Sequence, residues 1–488
     1  MVPIGEWRPD SLDINSFARE ALNVIPRKES YGPLAGLSSI GGALTARCQG
    51  AFGAIALDGD VHSFAGDATK LYKYNTGTTV WDDVTRSAGG AYATASTGRW
   101  EFSLFGNTVI AVNGVDAPQS YVLGTSTLFA ALAGSPPVAD ITATVKDFAV
   151  LGAISTQYNR VKWSAINDST DWTIAAATQS DQQDIPVGGK ITAIAGTETG
   201  GVIFQERGIW QMTYVGPPVI FQRDIVSENF GTQAPGSVAS NGQVIFFLGP
   251  KGFMMLAGGQ LNPIGADKLD RWFFTNFDFN NRHRVTATID YVNNLYVVGW
   301  PDTGDSGAPG NILFYHWPSG RWSRAEVAHD LIYSGTVGAA TTVEELDALY
   351  PGGIDTMTIS IDDPSLNANS RSLVSAFDTS FKNATFSGSN LAATVETQEA
   401  ALLGGSKARV ISIRPMVDGG APTVSIGVRD TQQAAVTYGN DVTVTSYGSC
   451  PQRSSGWYIR ARIKIPAGST WTHAFGIDDV RANSVGRR

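Results

Sequence analysis

The chain has 488 residues, a net charge of −9 and two cysteines, Cys48 and Cys450. Two cysteines so far apart exclude a disulfide scaffold and read as buried thiols, and the acidic balance excludes a surface that grips nucleic acid through clustered Lys and Arg. No stretch reaches the ~18 apolar residues of a membrane-spanning helix, while 54 glycines and 10% aromatics suit an all-β, turn-rich protein.

In chain order, residues 1–34 read as an N-terminal arm broken by Pro9, Pro26 and Pro33. Met1 to Glu6 has neither the charged nor the apolar region of a signal peptide. A short helix is expected over Ile14 to Leu22, opening near Asp13.

Residues 35–345 read as a β-propeller. The basis is a strand–turn–strand unit that is strongest in two places. Val202 to Phe204 turns at Glu206-Arg207-Gly208 and returns through Ile209 to Met212. Val244 to Leu248 turns at Gly249-Pro250-Lys251-Gly252 and returns through Phe253 to Leu256. Apolar runs on both sides of a glycine turn are buried hairpins. The unit recurs with starts at 55, 102, 148, 202, 244 and 295, near the ~40–50-residue spacing of propeller blades. A second theme trails two units: Leu71 to Tyr74 with Gly77 and Trp81 resembles Leu313 to Tyr315 with Gly320 and Trp322. Six starts are visible, and a split closing blade would add to them. Residues 113–140 read as a long surface connection and Pro301 to Gly310 as an exposed projection inside a hairpin.

Residues 346–375 lose the strand pattern and read as a linker or projecting loop, after a second helix candidate at Val343 to Leu349. Residues 376–488 read as a β-sandwich-like domain, with strands expected at 391–396, 410–414, 424–428, 442–445, 457–465 and 471–477. The fold class is therefore all-β, a propeller with an additional C-terminal sandwich-like platform.

Sites for catalysis, cofactors or metals are not expected. The five histidines, His62, His283, His316, His329 and His473, show no metal-ligand spacing. Gly188-Gly189-Lys190 lacks the Ser or Thr of a phosphate-binding loop, and Asp58-Gly59-Asp60 reads as a hairpin turn rather than a calcium loop. Asn167 to Trp172 is faintly like the Asp-box of sialidase propellers but has no glycine in place, so Asp168 and Asp171 read as turn caps. Trp272-Phe273-Phe274 and the Tyr315/Trp317 pair read as packing between blades rather than sugar-stacking platforms.

One strand carries an interface candidate. Along 457–465, Trp457, Ile459, Ala461, Ile463 and Ile465 fall on one face and Tyr458, Arg460, Arg462 and Lys464 on the other. The second face is either a solvated row or a basic docking stripe for an acidic neighbour.

Three segments together resemble the tail nozzle (hub) proteins of short-tailed bacteriophages. They are Ala21 to Pro26 leading to Tyr31-Gly32-Pro33; Trp163, Asp171-Trp172 and Ile185-Pro186 with Gly201 to Phe204, Tyr214-Val215-Gly216, Gly231, Gly249 to Phe253 and Ile264-Gly265; and Gly456 to Gly468 followed by Trp471 and Gly476-Ile477-Asp478. The resemblance implies a non-enzymatic virion protein without cofactors, assembled in the host cytoplasm as a homohexameric ring. It implies three kinds of partner: the portal adaptor, tail fibres or spikes, and phage DNA passing through the lumen without specific binding. An acidic lumen fits that passage, since it repels phosphates. The alternative is a glycan-binding or glycan-degrading propeller of the tail.

Overall fold

Runs such as Phe148–Ile154 and Gly200–Gln205 are buried at every position. A strand can be apolar on both faces only where sheets pack against both, and stacked propeller blades supply that environment. The computed structural model describes residues 2–11, 17–57, 59–197, 200–304, 306–335, 356, 373–404 and 406–485.

Among the described residues, seven four-stranded antiparallel units follow one another around a ring. Their innermost strands are Gly50–Ile55, Glu101–Phe105, Ala139–Val145, Ile191–Thr197, Ala239–Ser240, Thr286–Asp290 and Leu331–Gly335. Blades 1 to 6 each take four consecutive strands. Blade 7 combines Leu331–Gly335, Leu373–Phe377 and Lys382–Thr385 with Ser38–Ala43 as its outermost strand. The ring thus closes by joining a late segment to an early one. Blade 7 meets blade 1 where a Cβ on Gly53 would lie 2.8 Å from the Gly335 Cα, so only a glycine allows that approach.

The expected boundaries shift accordingly. The closing blade draws on residues 373–385, which the sequence pattern divides between the linker and the C-terminal domain. Residues 336–355 and 357–372, with the helix candidate Val343 to Leu349 and most of the linker, lie outside the described residues. The 113–140 stretch is not a bare connection, because it supplies the strands Gln119–Val122 and Ala130–Ala131 of blade 2. The loop over Pro301 to Gly310 is anchored at two points, while Thr303, Gly304, Ser306 and Ala308 are exposed. Asp302 bridges to Phe277, and the Gly307 carbonyl accepts from Arg284 Nη1 at 3.4 Å.

Residues 1–34 are not a free arm. Val2–Pro3 pairs with the C-terminal strand Trp471–Ser484, as does Tyr31, whose strand Tyr31–Pro33 pairs in turn with Val24–Pro26. Glu20–Leu22, where the helix was expected to end, is a strand. It pairs in parallel with Arg321–Glu326 of blade 6 and antiparallel with Ala393–Glu396. The blade 6 sheet therefore continues without a break through Glu20–Leu22, Ala393–Glu396, Tyr458–Ile465 and Thr423–Arg429 to Thr437–Tyr438. A second sheet, built on Trp471–Ser484 and Ala408–Gly419, packs over this extension to form the sandwich.

One apolar cluster spans the junction. It joins Phe246, Tyr296, Trp300 and Trp322 of blades 5 and 6 to Val424, Ile463 and Trp471 of the sandwich, and to Ile4, Trp7 and Tyr31 of the first segment. Each fully buried side chain of this size contributes roughly 1.5–3 kcal/mol. Arg321 secures the same junction: its Nη2 donates to the carbonyls of Ile4 (3.0 Å) and Gly5 (2.9 Å), and its guanidinium lies 4.5 Å from the Tyr31 ring centroid.

Candidate functional site

The strand Tyr458–Ile465 alternates half-buried and buried residues along its whole length, with Ile459, Ala461, Ile463 and Ile465 inside. The polar face is not a row of unpaired cations. Arg460 Nε and Arg462 Nε ion-pair with the two carboxylate oxygens of buried Glu396, at 2.7 and 2.8 Å. The Tyr438 hydroxyl donates to Glu396 at 2.5 Å, and Arg462 stacks 3.5 Å from the Tyr438 ring centroid. Lys464 pairs with Asp441 at 2.8 Å, and that hydrogen bond holds Asp441 below the usual carboxylate range. Burial pushes the Tyr438 hydroxyl up, and the Glu396 charge adds to it.

This cluster belongs to the junction. Glu20 and Glu396 stand directly opposite each other on neighbouring strands, an arrangement that repels unless each carboxylate is neutralised. Arg324 of blade 6 neutralises Glu20 with a bidentate pair at 2.9 and 3.0 Å. Arg460 and Arg462 do the same for Glu396 from the other side. Of the residues that read as an interface, Arg460, Arg462 and Lys464 thus have ion-pair partners within the chain.

A different set of side chains converges at the propeller axis. Each blade's outermost strand connects to the next blade's innermost strand across one face of the ring. These connectors line a cavity of about 530 Å³ that includes Arg99, Glu101, Asp140, Lys190, Arg282 and His283. A second cavity of about 340 Å³ shares Arg99 and His283 and adds Arg47, Arg284 and Asp330. The loop before Arg99 is held from blade 1: Gln49 Nε2 donates to the carbonyls of Ala95 (2.7 Å) and Gly98 (2.9 Å), and Arg47 Nη2 donates to that of Ser96 (2.8 Å). The loop around Arg282 is held by Asp278, which accepts from Asn280 N (3.0 Å) and Asn281 Nδ2 (2.7 Å).

The electrostatics of this mouth oppose the balance of the whole chain. Five cations (Arg47, Arg99, Lys190, Arg282 and Arg284) face three carboxylates (Glu101, Asp140 and Asp330). Arg99 pairs with Glu101, Lys190 with Asp140, and Arg284 with Asp330. Burial lowers the pKa of His283, and Arg47, Arg284 and Arg282 lower it further. Burial and the charge of Arg284 likewise lower that of Arg47. No local motif announced this cluster, because its members come from five connectors and from the strands Glu101–Phe105 and Ala139–Val145; only the run Arg282-His283-Arg284 is visible as sequence.

The remaining candidates are structural. Asp168 Oδ1 accepts from Thr170 N at 2.8 Å and Asp171 Oδ1 from Thr173 N at 2.9 Å, as turn caps do. Trp272 packs edge-on against Trp7 and Trp300, and Tyr315 tilts over Trp322. Cys48 and Cys450 are buried free thiols, with burial pushing them up to about 12 and about 11. Among the described residues no group of three or more His, Cys, Asp or Glu is placed to hold a metal ion.

No protein-family model matches the chain, and no curated protein does. Solved β-structures are similar at low identity. The extracellular domain of a one-component system from B. thetaiotaomicron aligns at 10% identity and TM-score 0.41, over 85% of this chain and 47% of that one. This chain thus spans about half the length of that structure. A quinoprotein alcohol dehydrogenase-like protein from Bacteroides thetaiotaomicron aligns at 10% identity and TM-score 0.36, over 57% of this chain and 66% of its own. The WD40 β-propeller domain of Doa1 aligns at 9% identity and TM-score 0.38, over 62% of this chain and 90% of its own.

Proposed function

We propose that this chain is a structural subunit of a short-tailed phage tail. In this reading it is a nozzle or hub protein that forms a homohexameric ring below the portal adaptor, carries fibres or spikes, and lets DNA pass without binding it. The role is mechanical rather than catalytic. The observation that supports it most is the rigid joint between propeller and sandwich. A sheet running from blade 6 to Thr437–Tyr438, with one apolar cluster beneath it, makes the two modules a single stiff block. A ring wall that withstands DNA ejection needs such a block, since two domains on a flexible linker move independently by default. Two of the three sequence segments that resemble nozzle proteins, at 21–33 and 456–478, run through the same junction, and the central one runs through blades 3 to 5.

Closed rings need a heterologous interface whose rotation closes, and a templating partner can supply it. Light scattering after size exclusion should show the isolated chain as a monomer or weak oligomer, and a hexamer once the portal adaptor is added. A stable dimer under both conditions would overturn the proposal.

A further inference from the structure

We propose that the axial mouth of the propeller binds a small phosphoryl-bearing ligand, held between the guanidinium groups of Arg47, Arg99 and Arg282. The phosphoryl group arrives either as free phosphate or on a compact carrier such as a sugar phosphate. This inference does not depend on the tail-nozzle reading.

The argument starts from charge left over. Of the five cations at the mouth, Arg99, Lys190 and Arg284 each have a carboxylate. Arg282 has none among the described residues, and Arg47 has only a share of Asp330, whose ion pair is with Arg284. Arg47 donates to the Ser96 carbonyl at 2.8 Å, and Arg282 donates to the Phe279 carbonyl at 3.2 Å while stacking 4.7 Å from the Phe279 ring centroid. A guanidinium carries five donors, so most of those on these two side chains are free. The excess of two positive charges matches a phosphate dianion.

The cations also sit close enough to repel. Arg47 and His283 are both pushed toward their neutral forms by neighbouring arginines, after burial. Like charges gathered in a half-buried site lower stability unless an anion joins them. Arginine forks match the oxygens of a tetrahedral oxyanion in pairs, and here they approach from three different inter-blade connectors. Arg99 and Arg282 line the cavity of about 530 Å³ and Arg47 the adjoining one of about 340 Å³, which shares Arg99 and His283 with it; both volumes fall in the range of small-molecule sites.

Isothermal titration in phosphate-free buffer tests the site, with inorganic phosphate, glucose 1-phosphate, glucose and glucuronate as probes. Saturable binding of both phosphoryl probes, with glucose silent and glucuronate weaker, is expected. Tighter binding of glucose 1-phosphate than of phosphate assigns the ligand to a carrier, and the reverse assigns it to the free ion. Arg47→Gln and Arg282→Gln should each weaken binding about tenfold or more, while Arg481→Gln on the C-terminal strand should leave it unchanged. If a glutamine variant fails to fold, Arg47→Lys keeps the charge, loses the fork, and should still weaken binding severalfold. In an NMR titration the depressed pKa of His283 should rise when phosphate binds, because the anion offsets the arginines. Absence of saturable phosphoryl binding to the folded parent overturns the proposal. So does glucuronate binding as tightly as glucose 1-phosphate, or unchanged affinity in the folded Arg47 and Arg282 variants.

Discussion

Asp270 shows how closely single side chains are fitted here. Its carboxylate sits against Gly252 and Gly265, where a Cβ on either glycine would collide with it. It accepts from Phe253 N at 3.1 Å. Burial raises its pKa to about 6, the Phe253 N–H opposes that rise, and the charges of Asp10 and Asp267 add to it. The folded value lies above the unfolded one, so the group's contribution to stability is full below about pH 4 and is lost as pH rises through about 6. Asp270→Asn removes the ionisation and keeps an acceptor for Phe253. The variant should be more stable than the parent at pH 8, by on the order of 2 kcal/mol, with a flatter profile between pH 4 and 6. Chemical denaturation across that range checks it, and an asparagine variant less stable at pH 8 would refute the account. The alternation of Tyr458–Ile465 was legible in the sequence, since a period of two places every second residue inside. The partners of its cations were not, because Glu396 and Tyr438 reach them only through strand pairings that no local pattern encodes.

At the scale of elements, legibility followed burial. Second and third strands such as Phe148–Ile154, Gly200–Gln205 and Gly252–Ala257 are apolar and stood out. Outermost strands such as Asp181–Asp184 and Gln260–Pro263 are polar and half-wet, so no apolar run marks them. The visible hairpins are not equivalent from blade to blade. In blades 1 and 2 they are the first and second strands, whereas in blades 4, 5 and 6 they are the second and third. Glu20–Leu22 is the least legible element and the one on which the joint depends. It is three residues long, and its partners lie hundreds of residues away. A proline there removes a donor and disturbs a strand paired on both sides. Ala21→Pro should cost on the order of 2–4 kcal/mol and split one calorimetric transition into two, as propeller and sandwich uncouple. A single transition at the parent temperature would show that the apolar cluster alone holds the modules together.

For the molecule as a whole, charge is distributed unevenly. The chain carries −9 overall, yet its axial mouth is cationic. These two facts predict different behaviour toward phosphates of different size. A cavity of about 530 Å³ admits a compact group but not a duplex some 20 Å wide, and the acidic exterior repels a polyanion. Gel shifts at low salt should therefore show no tight retention of duplex DNA. Strong retardation that falls steeply with added salt would mean that arginines such as Arg47 and Arg282 reach the DNA backbone, and a passive conduit would then be excluded.

The closure of blade 7 and the joint at Glu20–Leu22 also set a timetable for biosynthesis. A ribosome releases Ser38–Ala43 long before Lys382–Thr385, and Val2–Pro3 before Trp471–Ser484. Blades 1 to 6 can form as they emerge, but Glu20–Leu22 must wait for Arg321–Glu326, and Val2–Pro3 for Trp471–Ser484, before they have a sheet to join. Throughout that interval Trp7, Tyr31 and the edges of their strands lie open to solvent, as unpaired edges that invite association. A message cut short after blade 5 but before Lys382–Thr385 would leave a ring that cannot close and an aromatic N-terminal tail without its sandwich partners. Such fragments should be recognised by chaperones and proteases as unfinished, while a full-length subunit hides these surfaces in its last step.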